Sequence, residues 1–151
     1  MDSIPARHLF DLSLEVGPPL DLRGADGTGR CVFHVPGGTF AGERLRGSVL
    51  PVSGDWLTTE RGYSRVEVRA MLRTDDNALI YMTYGGINTL TAAIRDRIAG
   101  GEDVDAGEYY FRTAPMFETA APQYDWLNRV VAVGMGKRTG AGVEYRVCEV
   151  L

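Results

Sequence analysis

Hydrophobic and polar residues alternate along most of this chain, in short runs separated by clusters of Gly, Pro and Asp. A period of two is typical of antiparallel strands. It predicts about nine strands, at 8–16, 30–35, 44–50, 55–60, 64–74, 79–85, 108–119, 129–136 and 143–151. The segments 17–29 and 36–43 are rich in Gly and Pro, and we predict that they are loops.

One segment, NTLTAAIRDRIAGG at 88–101, departs from this period and has helical spacing instead. Asn88 or Thr89 can cap it, and Gly100-Gly101 can end it. We therefore predict one short helix near 88–99. A second short turn is predicted at 122–128.

So many strands in 151 residues favour a barrel, because closure removes the unpaired edges that promote aggregation. A barrel of about eight strands has room inside for side chains or for one small ligand. The predicted fold class is therefore all-β, with a single antiparallel β-barrel of about 8–9 strands over 1–151. A β-sandwich remains the alternative.

The charge balance excludes several classes of partner. A net charge of -4 and a pI of about 5.2 give no basic footprint for nucleic acid. The amino terminus does not have the pattern of a signal peptide, and no apolar run approaches the roughly 18 residues of a membrane span. We expect a cytoplasmic protein without membrane or nucleic-acid partners, and reduced packing roles for Cys31 and Cys148.

Metal and cofactor motifs are weak in this sequence. His8 and His34 are far apart, so no metal site is predicted. The glycine-rich segment 131–143 is followed by a strand rather than a helix, which predicts a hairpin and not a nucleotide loop. We predict no cofactor.

Three of the predicted strands have a face that mixes charged and aromatic residues. Arg69 lies on the first, Tyr81 on the second, and Tyr110, Arg112 and Glu118 on the third. Arg, Tyr and Met favour binding surfaces, so we predict that these faces line the barrel interior. Two alternatives remain open: the faces meet solvent, or Arg69, Arg112, Glu118 and Glu67 form buried ion pairs that set the register.

Two carboxylate motifs precede or connect strands. Asp55 and Trp56 follow Gly54 and can stand at the mouth of a pocket, although a turn carboxylate with a packed indole is the alternative. Asp75-Asp76 lies in TDDN between two strands and is predicted to be a hairpin turn without a catalytic role.

An ordered series of motifs resembles the domain of unknown function 3237 family. The motifs are RGSVLPVSGDW (46–56), VEVRAMLRTDDNALIYMTYGG (66–86), YYFRTAPMFET (109–119), YDWLN (124–128) and GVEYRVCEV (142–150). The resemblance implies a β-barrel like those of calycins and allene oxide cyclase, often oligomeric, without a settled reaction. It also makes Asn128 a candidate site residue. Asn77 and Ser53 depart from the family pattern, which usually has glycine at both positions.

We predict a cofactor-independent enzyme, of the cyclase, isomerase, lyase or hydrolase type, that works by acid–base chemistry inside the barrel. Arg69 and Arg112 would bind and polarise an oxygen, and Glu118 or Asp55 would move the proton. The predicted substrate-binding residues are Trp56, Tyr81, Tyr84, Tyr110 and Asn128.

The expected ligand is an aromatic, carbonyl or polyketide-like small molecule. A non-catalytic barrel that binds a small molecule in the same cavity is the main alternative, and a purely structural or partner-binding barrel is the third. A homo-oligomer is expected.

Overall fold

The computed structural model describes residues 2–151, in which eleven strands form one sheet that closes on itself. The strands are β1 (Ala6–Glu15), β2 (Pro19–Asp21), β3 (Gly29–Val35), β4 (Gly38–Ala41), β5 (Arg46–Val49), β6 (Ser53–Thr59), β7 (Ser64–Thr74), β8 (Leu79–Asn88), β9 (Phe111–Glu118), β10 (Ala132–Arg138) and β11 (Gly142–Val150). The helix α1 (Ala92–Ala99) and 3₁₀ helices at Ala106–Glu108 and Pro122–Arg129 complete the fold.

Eight of these strands make a closed antiparallel ring, in the order β7-β5-β4-β1-β11-β10-β9-β8, and β8 pairs again with β7. The strands β6, β3 and β2 extend from β7 as additional strands. The barrel prediction is confirmed, and the sandwich alternative is rejected because the pairing of β7 with β8 leaves no open edge between them.

Strand β7 holds the ring and the additional strands together, and its observed bounds are those that the alternation predicts. One edge pairs with β8 along nearly the whole strand. The other edge pairs with β6 over the first half of β7 and with β5 over the second half. Every second residue of β7 is buried, so its apolar face points into the barrel.

The predicted loops 17–29 and 36–43 contain the two short strands β2 and β4, so the loop prediction is wrong for these residues. In β4 only Phe40 is buried, which is too little for an alternating pattern. The flanking glycines have a steric reason: a side chain at Gly38 or Gly42 would collide with the backbone of β1. Their presence therefore reflects close strand packing rather than a loop.

Helix α1 begins later than predicted, because Thr91 rather than Asn88 or Thr89 is its N-cap. The Thr91 hydroxyl accepts a hydrogen bond from the Ile94 N–H at 3.2 Å, whereas Asn88 is still paired with β9 as the last residue of β8. Among residues 2–151, no helix is long and apolar enough to cross a membrane.

The barrel interior has a packed half and a half that contains a cavity. In the packed half, Phe10 is fully buried and meets Phe40 and Phe117 edge to face, with ring centroids 5.6 and 5.9 Å apart. The same buried core contains the side chains of Leu12, Leu72, Ile80, Met82 and Val147. None of these residues borders the cavity, so they close one end of the barrel.

A close contact inside the barrel predicts a strong effect at Gly136. A Cβ at this position would lie 2.6 Å from the Phe111 ring, which forms part of the cavity wall. Gly136→Ala is expected to lower the free energy of unfolding by about 1–3 kcal/mol, because the ring has to shift. Chemical denaturation measures the change.

Gly140→Ala is the matched control for Gly136→Ala. No atom lies within 4 Å of the Cβ that alanine would add at Gly140, and the backbone there is not left-handed. We expect a change within about 0.5 kcal/mol. Equal destabilisation by the two substitutions would contradict the packing argument.

Candidate functional site

The open half of the barrel encloses a cavity of about 420 Å³. This volume is at the small end of the range of about 300–1,000 Å³ that is typical of ligand pockets. The wall is mostly apolar and aromatic, with side chains that include Leu14, Val16, Cys31, Phe33, Val35, Leu57, Val66, Val68, Tyr84, Leu90, Ile98, Phe111, Val143 and Tyr145. Its polar side chains include one carboxylate and three arginines, Asp55, Arg23, Arg95 and Arg138.

Asp55 reaches the cavity because strand alternation turns Asp55, Leu57 and Thr59 inward and Trp56 outward. The ladder between β6 and β7 is interrupted opposite Trp56 and Leu57. At this interruption the Glu67 N–H donates a hydrogen bond to Asp55 Oδ1 at 2.9 Å. The β7 backbone therefore holds the carboxylate in place.

Burial raises the pKa of Asp55 from 3.8 to about 6. The hydrogen bond from the Glu67 N–H lowers this pKa, and the nearby Glu67 carboxylate raises it, but burial is the largest cause. Asp55 is half-buried and borders the cavity. A carboxyl with this pKa is mostly ionised at pH 7 and can accept and return a proton near neutral pH.

Two phenols stand on the same wall. The rings of Tyr84 and Tyr145 meet edge to face with centroids 5.3 Å apart, and Phe111 packs on Tyr145 at 5.4 Å. Burial raises the pKa of both phenols well above its usual range. The Tyr84 hydroxyl is buried and makes no hydrogen bond of normal geometry among residues 2–151, although it lies near enough to Tyr145 for each phenol to affect the pKa of the other.

Three arginines border the cavity near its solvent-exposed rim. Arg23 is neutralised by Asp21 through two hydrogen bonds of 2.9 and 2.7 Å. Arg95 and Arg138 form no ion pair within the part of the chain that the structure describes. The Arg138 backbone N–H donates to the Tyr109 hydroxyl at 2.7 Å. Burial lowers the pKa of Arg138, and the positive charge of Arg95 lowers it further.

The predicted interior positions of Arg69, Arg112 and Glu118 are wrong, because all three lie on the outer face of the barrel. Arg112 donates to the Phe111 carbonyl at 2.9 Å and lies over the exposed Tyr110 ring at 5.0 Å. Glu118 is exposed opposite Tyr81. The apolar face of β9 fills the interior instead, because a buried charge without a partner is strongly unfavourable.

The remaining predicted residues divide between the two sides of the barrel wall. Tyr84 lies on the cavity wall, whereas Tyr81, Tyr110 and Trp56 do not. The Trp56 ring points outward, and the Arg69 guanidinium lies over it, 5.3 Å from the ring centroid. Asn128 is also outside the cavity. Its side chain holds Thr119 through two hydrogen bonds of 2.9 Å, which is a structural role.

The predicted buried ion pairs do not form. Glu67 pairs with Arg30 at 3.1 Å on the surface, and Arg69, Arg112 and Glu118 have no ion-pair partner among residues 2–151. Asp75-Asp76 lies in the hairpin between β7 and β8, where Asn77 has a φ of 70°. Asn tolerates this left-handed conformation, so Asn77 can stand where glycine is usual.

Sequence reasoning missed Arg95, Arg138 and Tyr145. Tyr145 shares the inward face of β11 with Val143 and Val147, so strand alternation could have found it. Arg138 is the last residue of β10 and lies in the glycine-rich segment 131–143, which the sequence predicts to be a hairpin. Arg95 lies on α1. Nothing local in the sequence shows that these two arginines meet at one cavity.

The fold and site define a small closed β-barrel with an interior cavity of about 420 Å³. The chain matches the family model described as Protein of unknown function (DUF3237) over residues 5–150. It is also 31% identical over 151 residues to a UPF0311 protein of Rhodopseudomonas palustris, with 99% of this chain and 98% of that protein covered. This chain belongs to the DUF3237 family.

Solved structures share the barrel. A β-barrel-like protein from Acinetobacter baumannii superposes with a TM-score of 0.83 at 34% identity, covering 100% of this chain and 98% of that one. An enzyme from Penicillium herquei superposes with a TM-score of 0.74 at 22% identity, covering 98% and 95% of the two chains. At that identity the second likeness shows the fold alone.

Proposed function

We propose that this protein is a cofactor-independent enzyme that moves a proton on a small molecule bound inside the barrel, with Asp55 as the proton acceptor and donor. The observation that carries this proposal is a carboxyl group with a pKa of about 6 on the wall of an interior cavity. A carboxyl in this range is suited to general acid–base catalysis near neutral pH. Of the two carboxylates predicted to move the proton, Asp55 is retained and Glu118 is not, because only Asp55 borders the cavity.

The cavity supports a substrate with an apolar, ring-containing body. Phe33, Phe111, Tyr84 and Tyr145 offer aromatic surface, and the volume of about 420 Å³ suits a small metabolite. Abstraction of a proton beside a carbonyl, or from a phenol, leads to isomerisation, cyclisation or elimination. The Penicillium protein with the same barrel is an enzyme, which fits this class of function.

The test incubates the protein in D₂O with a panel of carbonyl, lactone and phenolic compounds. Mass spectrometry detects deuterium uptake, and chiral chromatography detects isomerisation that leaves the mass unchanged. Wild type is expected to turn over at least one compound, and Asp55→Asn is expected to lower that rate by about 100-fold or more.

Glu118→Gln is the matched control, since it makes the same chemical change on the outer face of the barrel. We expect it to retain the wild-type rate within about twofold, because exposed substitutions away from a site have small effects. Full activity of Asp55→Asn would contradict the proposal, and so would loss of activity in Glu118→Gln alone.

A non-catalytic binding protein is the second candidate, and the apolar wall of the cavity favours it. It predicts tight binding of a panel compound without deuterium uptake in wild type. Asp55→Asn would then change affinity only slightly.

A further inference from the structure

The rim of the cavity carries positive charge that the protein itself does not neutralise. Arg95 and Arg138 both border the cavity, and neither forms an ion pair among the described residues. Arg23 at the same rim is different, because the Asp21 carboxylate neutralises its guanidinium. The Arg95 guanidinium instead donates to the uncharged Leu90 carbonyl at 3.3 Å. The unpaired charge is therefore specific to two of the three arginines.

Arg138 lies where a positive charge without a counterion is unfavourable. Its side chain is half-buried at the end of β10, and its main chain is fixed by the Tyr109 hydroxyl. Arg95 on α1 is near enough for its charge to act on Arg138. Two like charges of which one is partly desolvated repel each other, and an anion between them would remove that repulsion.

The apolar side chains, the two arginines and the Asp55 carboxylate all border the same cavity. We propose that the cavity takes a small organic oxyanion whose acid group lies between Arg95 and Arg138 while its apolar body fills the aromatic interior beside Asp55. A guanidinium presents a planar set of N–H donors that suits carboxylate and phosphate oxygens. The acid group would thereby orient the body of the molecule toward the Asp55 carboxylate.

An organic oxyanion is the ligand class proposed for the cavity of the proposed enzyme. It rests on that proposed function only in so far as the ligand is a substrate. Binding by the arginines does not require turnover. The two ideas can therefore fail separately, and binding measured on wild type and variants beside the turnover assay tells them apart.

Isothermal titration calorimetry would compare three probes on the full chain: 2-naphthoate, 1-naphthyl phosphate and the neutral 2-naphthamide. The wild type is expected to bind at least one of the two anions at least tenfold more tightly than the amide. A preference for naphthoate identifies a carboxylate ligand, whereas a preference for the phosphate identifies a phosphate ester. Both outcomes support an oxyanion site.

Arg138→Gln and Arg95→Gln are each expected to weaken anion binding by about tenfold or more and to leave amide binding unchanged. Arg146→Gln is the matched control, because it removes an exposed arginine on β11 that does not border the cavity. Arg138→Lys keeps the charge and should retain part of the affinity, so it remains informative if the glutamine variant does not fold.

Asp55→Asn separates this inference from the proposed enzyme. It should bind the anions at least as tightly as wild type, because a negative charge leaves the cavity. Arginine-dependent binding without any turnover would support this inference and contradict the enzyme. The inference is overturned if no probe binds, if the amide binds as tightly as both anions, or if Arg138→Gln and Arg95→Gln leave anion affinity unchanged.

Discussion

Asp55→Asn is expected to make the protein more stable at pH 7, raising the free energy of unfolding by up to about 3 kcal/mol. The pKa of Asp55 in the fold is about 6, against 3.8 for an exposed carboxyl, so ionised Asp55 opposes folding at neutral pH. Asparagine has the same shape, and its Oδ1 can still accept the hydrogen bond from the Glu67 N–H. Chemical denaturation of wild type and variant measures the difference.

The gain in stability should depend on pH in a defined way. Because the folded pKa is raised, the wild type loses stability as pH rises from 3.8 to about 6, and the loss is complete above that range. The advantage of Asp55→Asn should therefore be full at pH 7 and vanish near pH 3, below the pKa of the unfolded carboxyl. Tyr84 and Tyr145 stay uncharged across this window, because a phenol ordinarily has a pKa near 10 and burial raises the pKa of both further.

Glu118→Gln serves as the control for this pH dependence and should show no comparable gain, because Glu118 is exposed. A less stable Asp55→Asn variant at pH 7 would show that the carboxylate stabilises the fold. The predicted combination of higher stability and lower turnover is the trade-off expected of a residue kept for function.

Phe10→Ala is expected to lower the free energy of unfolding by about 3–5 kcal/mol. Phe10 is fully buried in the packed half of the barrel, where Phe40 and Phe117 hold its ring edge to face. Phe40 and Phe117 lie on β4 and β9, and the pairing of these strands in the barrel limits how far the two rings can move into the space that Phe10 leaves. Both the lost burial and the new cavity therefore contribute, and urea denaturation followed by tryptophan fluorescence measures the sum.

Phe33→Ala removes the same atoms from the open half and is the matched control. Phe33 is only partly buried and borders the existing cavity, so its removal enlarges a space that is already there. We expect a loss of stability of less than half that of Phe10→Ala. Equal losses would contradict the division of the interior into a packed half and an open half.

The strands could be predicted well because antiparallel strands with one buried face leave a period of two in the sequence. For β7 the predicted and observed bounds, 64–74, are the same. The short strands β2 and β4 could not be predicted in this way. Each has too few residues to alternate, and glycines that permit close packing resemble loop residues.

The side of the barrel wall on which each face lies was harder to predict. In β9 the aromatic residues Phe111 and Phe117 face inward and Arg112 and Glu118 face outward, the reverse of the functional interpretation. Arg112 and Glu118 face outward because an unpaired charge is strongly unfavourable away from water. This energetic cost outweighs the statistical preference of Arg and Tyr for binding surfaces.

The cavity cluster itself was beyond local sequence reasoning. Asp55, Arg95, Arg138 and Tyr145 come from β6, α1, β10 and β11 and meet only when the ring closes. Asp55 could be singled out because it follows Gly54 at a strand. Arg95 and Arg138 could not, since a charged residue on a helix or in a hairpin turn is usually solvated.

The division of the barrel interior into a packed half and an open half suits this protein to laboratory evolution of new binding specificities. The packed half lies at one end of the barrel, while Arg23, Arg95 and Gly140 lie on a loop, a helix and a turn outside the ring ladder. Randomised libraries at these rim positions should therefore keep most members folded. A barrel of this kind can acquire new ligands at its rim while its closed end preserves the architecture.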